Sequence, residues 1–112
     1  MSYRIFITPE AESDLDEIFS YVAQHYLAPQ AAANTLNNIK LSIKTLKDFP
    51  GMGVDVSDRL KKPFSDKDRL KMIISGKYLV FYVVDQKSIV VLRVIYQRRN
   101  WIEIFGNAQP DV

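Results

Sequence analysis

Two very short connections constrain this chain more than any other feature of its sequence. They are Gly76-Lys77 and Asp85-Gln86-Lys87, and they separate three β-prone runs at residues 69–75 (RLKMIIS), 78–84 (YLVFYVV) and 88–96 (SIVVLRVIY). Connections of two or three residues leave no room for a crossover, so neighbouring runs must pair in antiparallel fashion. The C-terminal half therefore predicts a meander of three strands.

The N-terminal half predicts one strand and two helices. A β-prone run at residues 3–8 (YRIFIT) leads into a helix, with Thr8 as the N-cap and Pro9 at the first helical position. Ala28-Pro29 ends this helix near Tyr26 and starts a second one, and so short a break implies a helical hairpin. The apolar stripes of the two helices contain Ala11, Leu15, Ile18, Phe19, Val22 and Tyr26, and then Ala32, Leu36, Ile39, Ile43 and Leu46.

These elements predict an α+β fold of order β-α-α-β-β-β. We expect the helical hairpin to pack on one face of a small antiparallel sheet, because the last three strands are too apolar to leave both faces in water. Residues 51–68 are interpreted as a polar connection with a short turn, and residues 106–112 as a loose C-terminal tail. At 112 residues and 47% hydrophobic content, residues 1–112 are expected to form a single domain.

Composition argues against several kinds of chemistry. The chain has no cysteine, and its single histidine, His25, has no companions for a metal site or a Ser-His arrangement. Gly51 and Gly53 follow a helix instead of opening one, so they do not form a phosphate loop. No stretch approaches the ~18 apolar residues of a membrane span, and no signal peptide is apparent. We expect a cytoplasmic protein without cofactor or metal.

Charge is distributed unevenly along the chain. The net charge is +2, yet residues 1–50 carry four basic and six acidic side chains, whereas residues 51–112 carry eleven basic and seven acidic ones. The basic half could attract phosphate or an acidic protein segment. Arg69 and Lys71 are two apart on a strand and should leave the same face of the sheet. Arg93 lies in an apolar strand and must be paired there, for example with a helix carboxylate, which gives it a structural role.

The segment after the last strand carries Arg98, Arg99 and Trp101. One interpretation is a solvent-facing cluster that caps the strand, with Trp101 tucked under the sheet edge. The other is a binding surface for a target or a partner protein. The residues alone leave both open.

Four segments together resemble the RelE/ParE superfamily of bacterial toxins from type II toxin–antitoxin pairs. They are YVAQHYLAPQAA (residues 21–32), LKDFPGMG (46–53), YLVFYVV (78–84) and RVIYQRRNW (93–101), in the family's order. The resemblance covers nearly the whole chain and agrees with the fold predicted above. It implies a cognate antitoxin encoded nearby, whose amphipathic C-terminal segment would wrap the helical hairpin and a sheet edge.

The superfamily contains two activities on one fold, so the resemblance leaves the target open. RelE-like members are ribosome-dependent, metal-independent mRNA endonucleases, and Arg69, Lys71 and Arg98 match basic residues of their catalytic set. ParE-like members inhibit DNA gyrase by binding. Tyr78 stands where the nucleases have another arginine, and no tyrosine follows Trp101, which favours the ParE-like branch. In that branch Arg98, Arg99 and Trp101 would bind the target or antitoxin. A third possibility is an inactive relative that only binds an antitoxin.

Overall fold

The computed structural model describes residues 2–60 and 68–108, and it has the predicted α+β architecture. Its elements follow the predicted order, with a short strand and a 3₁₀ turn added in the central connection and a helix added at the end. They are β1 (Arg4–Ile7), α1 (Pro9–His25), α2 (Pro29–Thr45), β2 (Val54–Asp55), the 3₁₀ turn Ser57–Arg59, β3 (Lys71–Ser75), β4 (Tyr78–Asp85), β5 (Ser88–Tyr96) and α3 (Trp101–Ala108).

The five strands form one sheet in the order β1-β5-β4-β3-β2. The meander β3-β4-β5 is antiparallel, as the short connections predict, and Gly76 in the first turn has a φ of +60°, a conformation that favours glycine. β1 differs from the antiparallel expectation because it pairs with β5 in parallel, Arg4 opposite Ser88. The whole helical hairpin and meander separate these two strands in sequence, so no short turn dictates their relative direction.

Both helices begin where the sequence predicts. Thr8 caps α1, its Oγ1 accepting a hydrogen bond of 3.1 Å from the Ala11 amide, and Pro9 occupies the first turn. The stripe prediction is wrong for Phe19 and Tyr26, which are 38% and 58% exposed. Phe19 lies one residue, or about 100° of helix rotation, from buried Ile18, and Tyr26 follows the last helical residue.

The sheet is covered on both faces, which extends the one-sided packing that the sequence predicts. One core lies between the helical hairpin and the sheet, and a second lies on the opposite face under α3. In the second core, the rings of Trp101 and Phe105 pack on Phe81 with centroid distances of 5.1 and 4.9 Å. These i, i+4 anchors give α3 a buried face.

The expectation of a loose tail at residues 106–112 is wrong for its first part. Residues 106–108 belong to α3, which Trp101 and Phe105 hold against the sheet. The remaining residues, 109–112, lie outside the described part of the chain.

Strand β5 contains a bulge. Phe81 pairs with Arg93, but the next residue, Tyr82, pairs with Val91, so Leu92 has no partner in β4. An extra residue of this kind shifts the alternation of side chains along the strand.

Unbroken alternation along β5 would put Ile89, Val91, Arg93 and Ile95 on one side of the sheet, and the bulge prevents this. Ile89 and Val91 face the helical hairpin, and so does Val94, whereas Ile95 belongs to the core under α3. Strict period-two counting fails at this point because two residues of β5 advance the strand by one pairing step.

Candidate functional site

A groove of about 1040 Å³ opens between the helical hairpin, the β3–β4 turn and the end of β5. Four tyrosines line it, two from the end of α1 and one each from β4 and β5, and we call it the tyrosine groove. They are Tyr21, Tyr26, Tyr78 and Tyr96.

Two pairs of rings form the aromatic part of this groove. Tyr78 and Tyr96 face each other across β4 and β5, with ring centroids 5.8 Å apart. On the helix side, the His25 ring stacks on Tyr21 at 4.9 Å and meets the edge of Tyr26 at 4.7 Å. Tyr21 and Tyr26 remain 57% and 58% exposed, so the groove presents large apolar rings to solvent.

The tyrosine hydroxyls supply polar contacts at the same place. Burial raises the pKa of the Tyr78 hydroxyl, and the neighbouring Tyr96, Tyr26 and Tyr21 raise it further. Tyr78 therefore stays neutral at physiological pH and keeps its capacity to donate a hydrogen bond.

Charged side chains lie at the rim of the tyrosine groove. Glu17 lines it on the α1 side, and Lys77 and Arg99 line it on the side of the turns. Exposed rings surrounded by charges of both signs suit an amphipathic helix, whose apolar face enters a groove while its polar face meets the rim.

The sequence does not predict the tyrosine groove. The register set by the β4–β5 turn alone would place Tyr78 opposite Ile95, and the bulge at Leu92 brings Tyr96 opposite Tyr78 instead. The approach of Tyr21 and Tyr26 depends on how the hairpin packs on the sheet.

Arg93 has the structural role that the sequence predicts. Its Nε donates to Asp14 Oδ2 at 2.8 Å, its second guanidinium nitrogen donates to Asp14 Oδ1 at 3.0 Å, and the Val94 amide donates to Asp14 Oδ2 at 2.9 Å. The Asp14 carboxylate raises the pKa of the Arg93 guanidinium. This pair joins α1 to the bulged part of β5.

Arg69 and Lys71 both lie beside Asp55 of β2. Arg69 precedes β3, and its Nε lies 2.8 Å from Asp55 Oδ2 while another guanidinium nitrogen lies 3.2 Å from Asp58 Oδ1. These contacts raise the pKa of Arg69, and the bond from Arg69 lowers the pKa of Asp55. Lys71 stands directly opposite Asp55 in the β2–β3 register.

Arg98 and Arg99 are exposed in the turn after β5, but Trp101 is not on the surface with them. Trp101 is 9% exposed, packs on Phe81 and has the Arg59 guanidinium 5.4 Å from its ring centre. The structure corresponds to the interpretation that tucks Trp101 under the sheet edge. The surface predicted to bind a target or antitoxin therefore consists of Arg98 and Arg99 without Trp101.

The backbone positions of Lys71 and Arg98, which match one catalytic set together with Arg69, lie far apart on the sheet. Arg98 follows Gln97, whose amide donates to Lys77 O at 2.9 Å, so it lies at the end of the sheet that holds the β3–β4 turn. Lys71 is four residues before Ser75 at that turn, or about 13 Å along the strand. Arg69 lies farther still in the same direction.

Within residues 2–60 and 68–108, none of the helices has the length and apolar character needed to cross a membrane. The same part of the chain contains no group of three or more His, Cys, Asp or Glu side chains arranged to hold a metal ion.

Comparison with known proteins gives a consistent set of relatives. Residues 5–101 match the family model described as the ParE toxin of the type II toxin–antitoxin system parDE. Toxin ParE1 of Caulobacter vibrioides is 28% identical over 94 residues, which cover 84% of this chain and 88% of that protein.

Two solved toxin–antitoxin systems contain chains of similar fold. One is the chromosomal ParDE system from P. aeruginosa, with a TM-score of 0.63 and 22% identity over 85% of this chain and 96% of that one. The other is the RelBE2 complex from Mycobacterium tuberculosis, with a TM-score of 0.54 and 21% identity over 86% of this chain and 99% of that one.

Proposed function

We propose that this chain, which belongs to the ParE toxin family of type II toxin–antitoxin systems, inhibits bacterial growth by binding DNA gyrase and is neutralised by a cognate antitoxin. In this proposal the chain acts by binding and cuts no nucleic acid. The surface around Arg98 and Arg99 contacts the target.

One observation carries the choice of binding over cleavage: the basic residues that match a nuclease site do not converge. Arg69 is paired with Asp55 and Asp58 just before β3 begins. Arg98 follows β5 and lies beside the β3–β4 turn, at the opposite end of the sheet. Electrostatic catalysis of phosphodiester cleavage needs charges fixed around one phosphate, and the loss of a single fixed donor costs about 10²-fold or more in rate. This arrangement supports a ParE-like activity over a RelE-like one.

The target is tested with the purified chain and two assays. We expect inhibition of gyrase-catalysed supercoiling and no cleavage of ribosome-bound messenger RNA. Replacing Arg98 and Arg99 with alanine should weaken the inhibition, whereas Arg69→Gln should leave it unchanged because Arg69 is engaged with Asp55.

Two outcomes would contradict this target. Codon-positioned mRNA cleavage that disappears in Arg98→Ala, with supercoiling unaffected, would identify a RelE-like endonuclease. If neither assay responds and cells that express the chain alone grow normally, the chain is an antitoxin-binding relative without toxic activity.

We further propose that an amphipathic helix of the antitoxin occupies the tyrosine groove. The exposed rings of Tyr21 and Tyr26 supply an apolar surface, and Glu17, Lys77 and Arg99 supply charges at its rim. Buried aromatic rings dominate the energetics of many protein interfaces. Filling this groove also brings the antitoxin next to Arg99, so neutralisation would block the surface assigned to the target.

Antitoxin binding is tested by calorimetry with the product of the neighbouring gene. We expect Tyr21→Ala and Tyr26→Ala to weaken binding about tenfold or more each, the effect of removing an aromatic anchor worth more than about 1.4 kcal/mol. Phe6→Ala is the matched control, because Phe6 is 53% exposed and lies outside the groove. Equal losses from Phe6 and from the tyrosines would place the antitoxin elsewhere.

A further inference from the structure

A second groove, of about 730 Å³, lies between β1 and the C-terminal half of α2. It contains all four basic side chains of residues 1–50, although that half of the chain is acidic in total. We call it the lysine groove, and its cations are Arg4, Lys40, Lys44 and Lys47.

These four cations form no ion pair with any residue in 2–60 or 68–108. None of the groove's lining residues is acidic. Asp48 lies beside the lining residue Ser2, and Asp48 Oδ1 accepts a 3.3 Å hydrogen bond from Ser2 Oγ. The groove therefore has unbalanced positive charge along its length, which attracts an anionic ligand.

Two of the lysines lie on α2. Lys40 and Lys44 are four residues apart, which puts them on one side of the helix about 6 Å apart along its axis. Lys47 follows in the turn after the helix, where its carbonyl accepts a 2.9 Å hydrogen bond from the Tyr3 amide. A nucleic-acid strand carries one phosphate per nucleotide, so its backbone presents a series of negative charges to these lysines. Lysine suits phosphate as a mobile point charge that needs no fixed geometry.

The sheet edge completes the groove on its other side. β1 is a terminal strand, and no described strand pairs with its outer edge. Arg4 and Phe6 project from the face of β1 opposite the helices, and Phe6 is 53% exposed. A ligand lying along this edge would meet Lys40 and Lys44 on the helix side. On the other side it would meet Arg4 and the Phe6 ring. An exposed ring beside cations is the combination on which single-stranded nucleic acids stack their bases.

We propose that the lysine groove binds the sugar-phosphate backbone of a single-stranded nucleic acid. The exposed Phe6 ring favours a single strand over a duplex, because the bases of a single strand are free to stack on it. The site is separate from the tyrosine groove, so its occupation does not depend on antitoxin or gyrase binding.

The test uses a short fluorescent oligothymidylate and the purified full chain, with anisotropy measured across a range of salt concentrations. Four phosphate contacts give a slope of about −2.8 in log K against log salt, since each contact on a single strand contributes about −0.7. Lys40→Gln and Lys44→Gln should each reduce the slope by about 0.7. Lys77→Gln, which removes the same charge at the other groove, should leave it unchanged.

A separate variant tests the aromatic contact. Phe6→Leu should weaken binding about fivefold or more while leaving the salt slope unchanged, because stacking does not release counterions. Thermal denaturation of each variant shows whether it keeps the parent fold; these side chains are exposed or form no ion pair, so little change is expected.

Three results would overturn the proposal. The first is a salt slope that Lys77→Gln reduces as much as Lys44→Gln, which would mean diffuse attraction by the whole chain. The second is tighter binding of a polyglutamate peptide with the same lysine dependence, which would identify a site for an acidic protein segment. The third is no binding at low salt, in which case the lysines only protect the sheet edge from association.

Discussion

Replacing Asp14 with asparagine should destabilise the protein by about 3 kcal/mol. Asp14 is 7% exposed and accepts three hydrogen bonds, two from the Arg93 side chain and one from the Val94 amide. Asparagine keeps the size of the side chain but removes its charge and one acceptor oxygen, so at least one of these donors loses its partner.

The magnitude follows from the burial of the pair. Breaking a fully buried ion pair costs about 3–5 kcal/mol, and an unsatisfied buried donor costs about 1–3 kcal/mol. The Arg93 side chain is 25% exposed, so water solvates part of its guanidinium once the Asp14 charge is gone. The expected loss is therefore at the lower end of the range for a buried ion pair, about 3 kcal/mol. For a domain of this size, such a loss lowers Tm by about 10 °C or more.

The matched control is Arg69→Gln. Arg69 also makes two charged contacts, but its side chain is 55% exposed and those of its partners are 37% and 92% exposed. Solvent-exposed pairs contribute about 0–1 kcal/mol, so this variant should stay within about 1 kcal/mol of the parent. Urea denaturation, followed by circular dichroism, measures both.

The reasoning would be refuted if Asp14→Asn and Arg69→Gln lost the same stability. A double variant, Asp14→Leu with Arg93→Met, adds a further check, because replacing both partners with apolar side chains should cost less than removing Asp14 alone. Because the pKa of Arg93 is raised, its contribution to stability is fully present below the pKa of an unfolded arginine and is lost only as the pH rises through the folded pKa.

Two further predictions concern Gly53 and Tyr78. Gly53→Ala should lower the free energy of unfolding by about 1–3 kcal/mol, because the added Cβ would lie 2.5 Å from the Tyr82 hydroxyl, which accepts a hydrogen bond from the Gly53 amide. Gly51→Ala is the control: a Cβ there would have no atom within 4 Å, so the same urea titration should show almost no change. Tyr78 should ionise above pH 10 in a titration followed by ultraviolet absorbance, and Tyr78→Phe should reduce the late component, to which Tyr82 also contributes because burial raises its pKa. With a raised pKa, the contribution of Tyr78 to stability is full below pH 10 and falls as the pH rises through the folded pKa. A Tyr78 component at or below pH 10, or a Gly51→Ala loss equal to that of Gly53→Ala, would contradict the packing described for these residues.

The parts of the fold that sequence predicts are those fixed by local chemistry. Two short turns determine the antiparallel meander, and Thr8-Pro9 and Ala28-Pro29 determine where both helices start. The parallel pairing of β1 and the bulge at Leu92 depend on contacts between distant segments, for which a single sequence contains no local signal. The sequence does not predict α3, although Trp101 and Phe105 have helical spacing. A pattern of eight residues is too short to distinguish a helix from the end of a strand.

The candidate sites divide in the same way. Arg93 could be assigned from sequence because a cation within an apolar strand requires a partner, although the identity of Asp14 needed the structure. The tyrosine groove draws on both helices and on two strands, so its lining follows from packing. The net charge of residues 1–50 does not reveal the lysine groove, since Arg4 comes together with Lys40, Lys44 and Lys47 only when β1 joins the sheet.

The parallel pairing of β1 with β5 bears on when the protein becomes competent during its synthesis. Arg4 pairs with Ser88, so the first strand has no place in the sheet until the last strand has left the ribosome. Closing so long a loop carries an entropic cost that only the contacts made by β5 offset. Tyr78, Tyr96 and Arg99 also come from this later part of the chain. A nascent chain that does not yet contain β5 therefore lacks both the finished sheet and the tyrosine groove, and competence for target and antitoxin would arise together once β5 has folded.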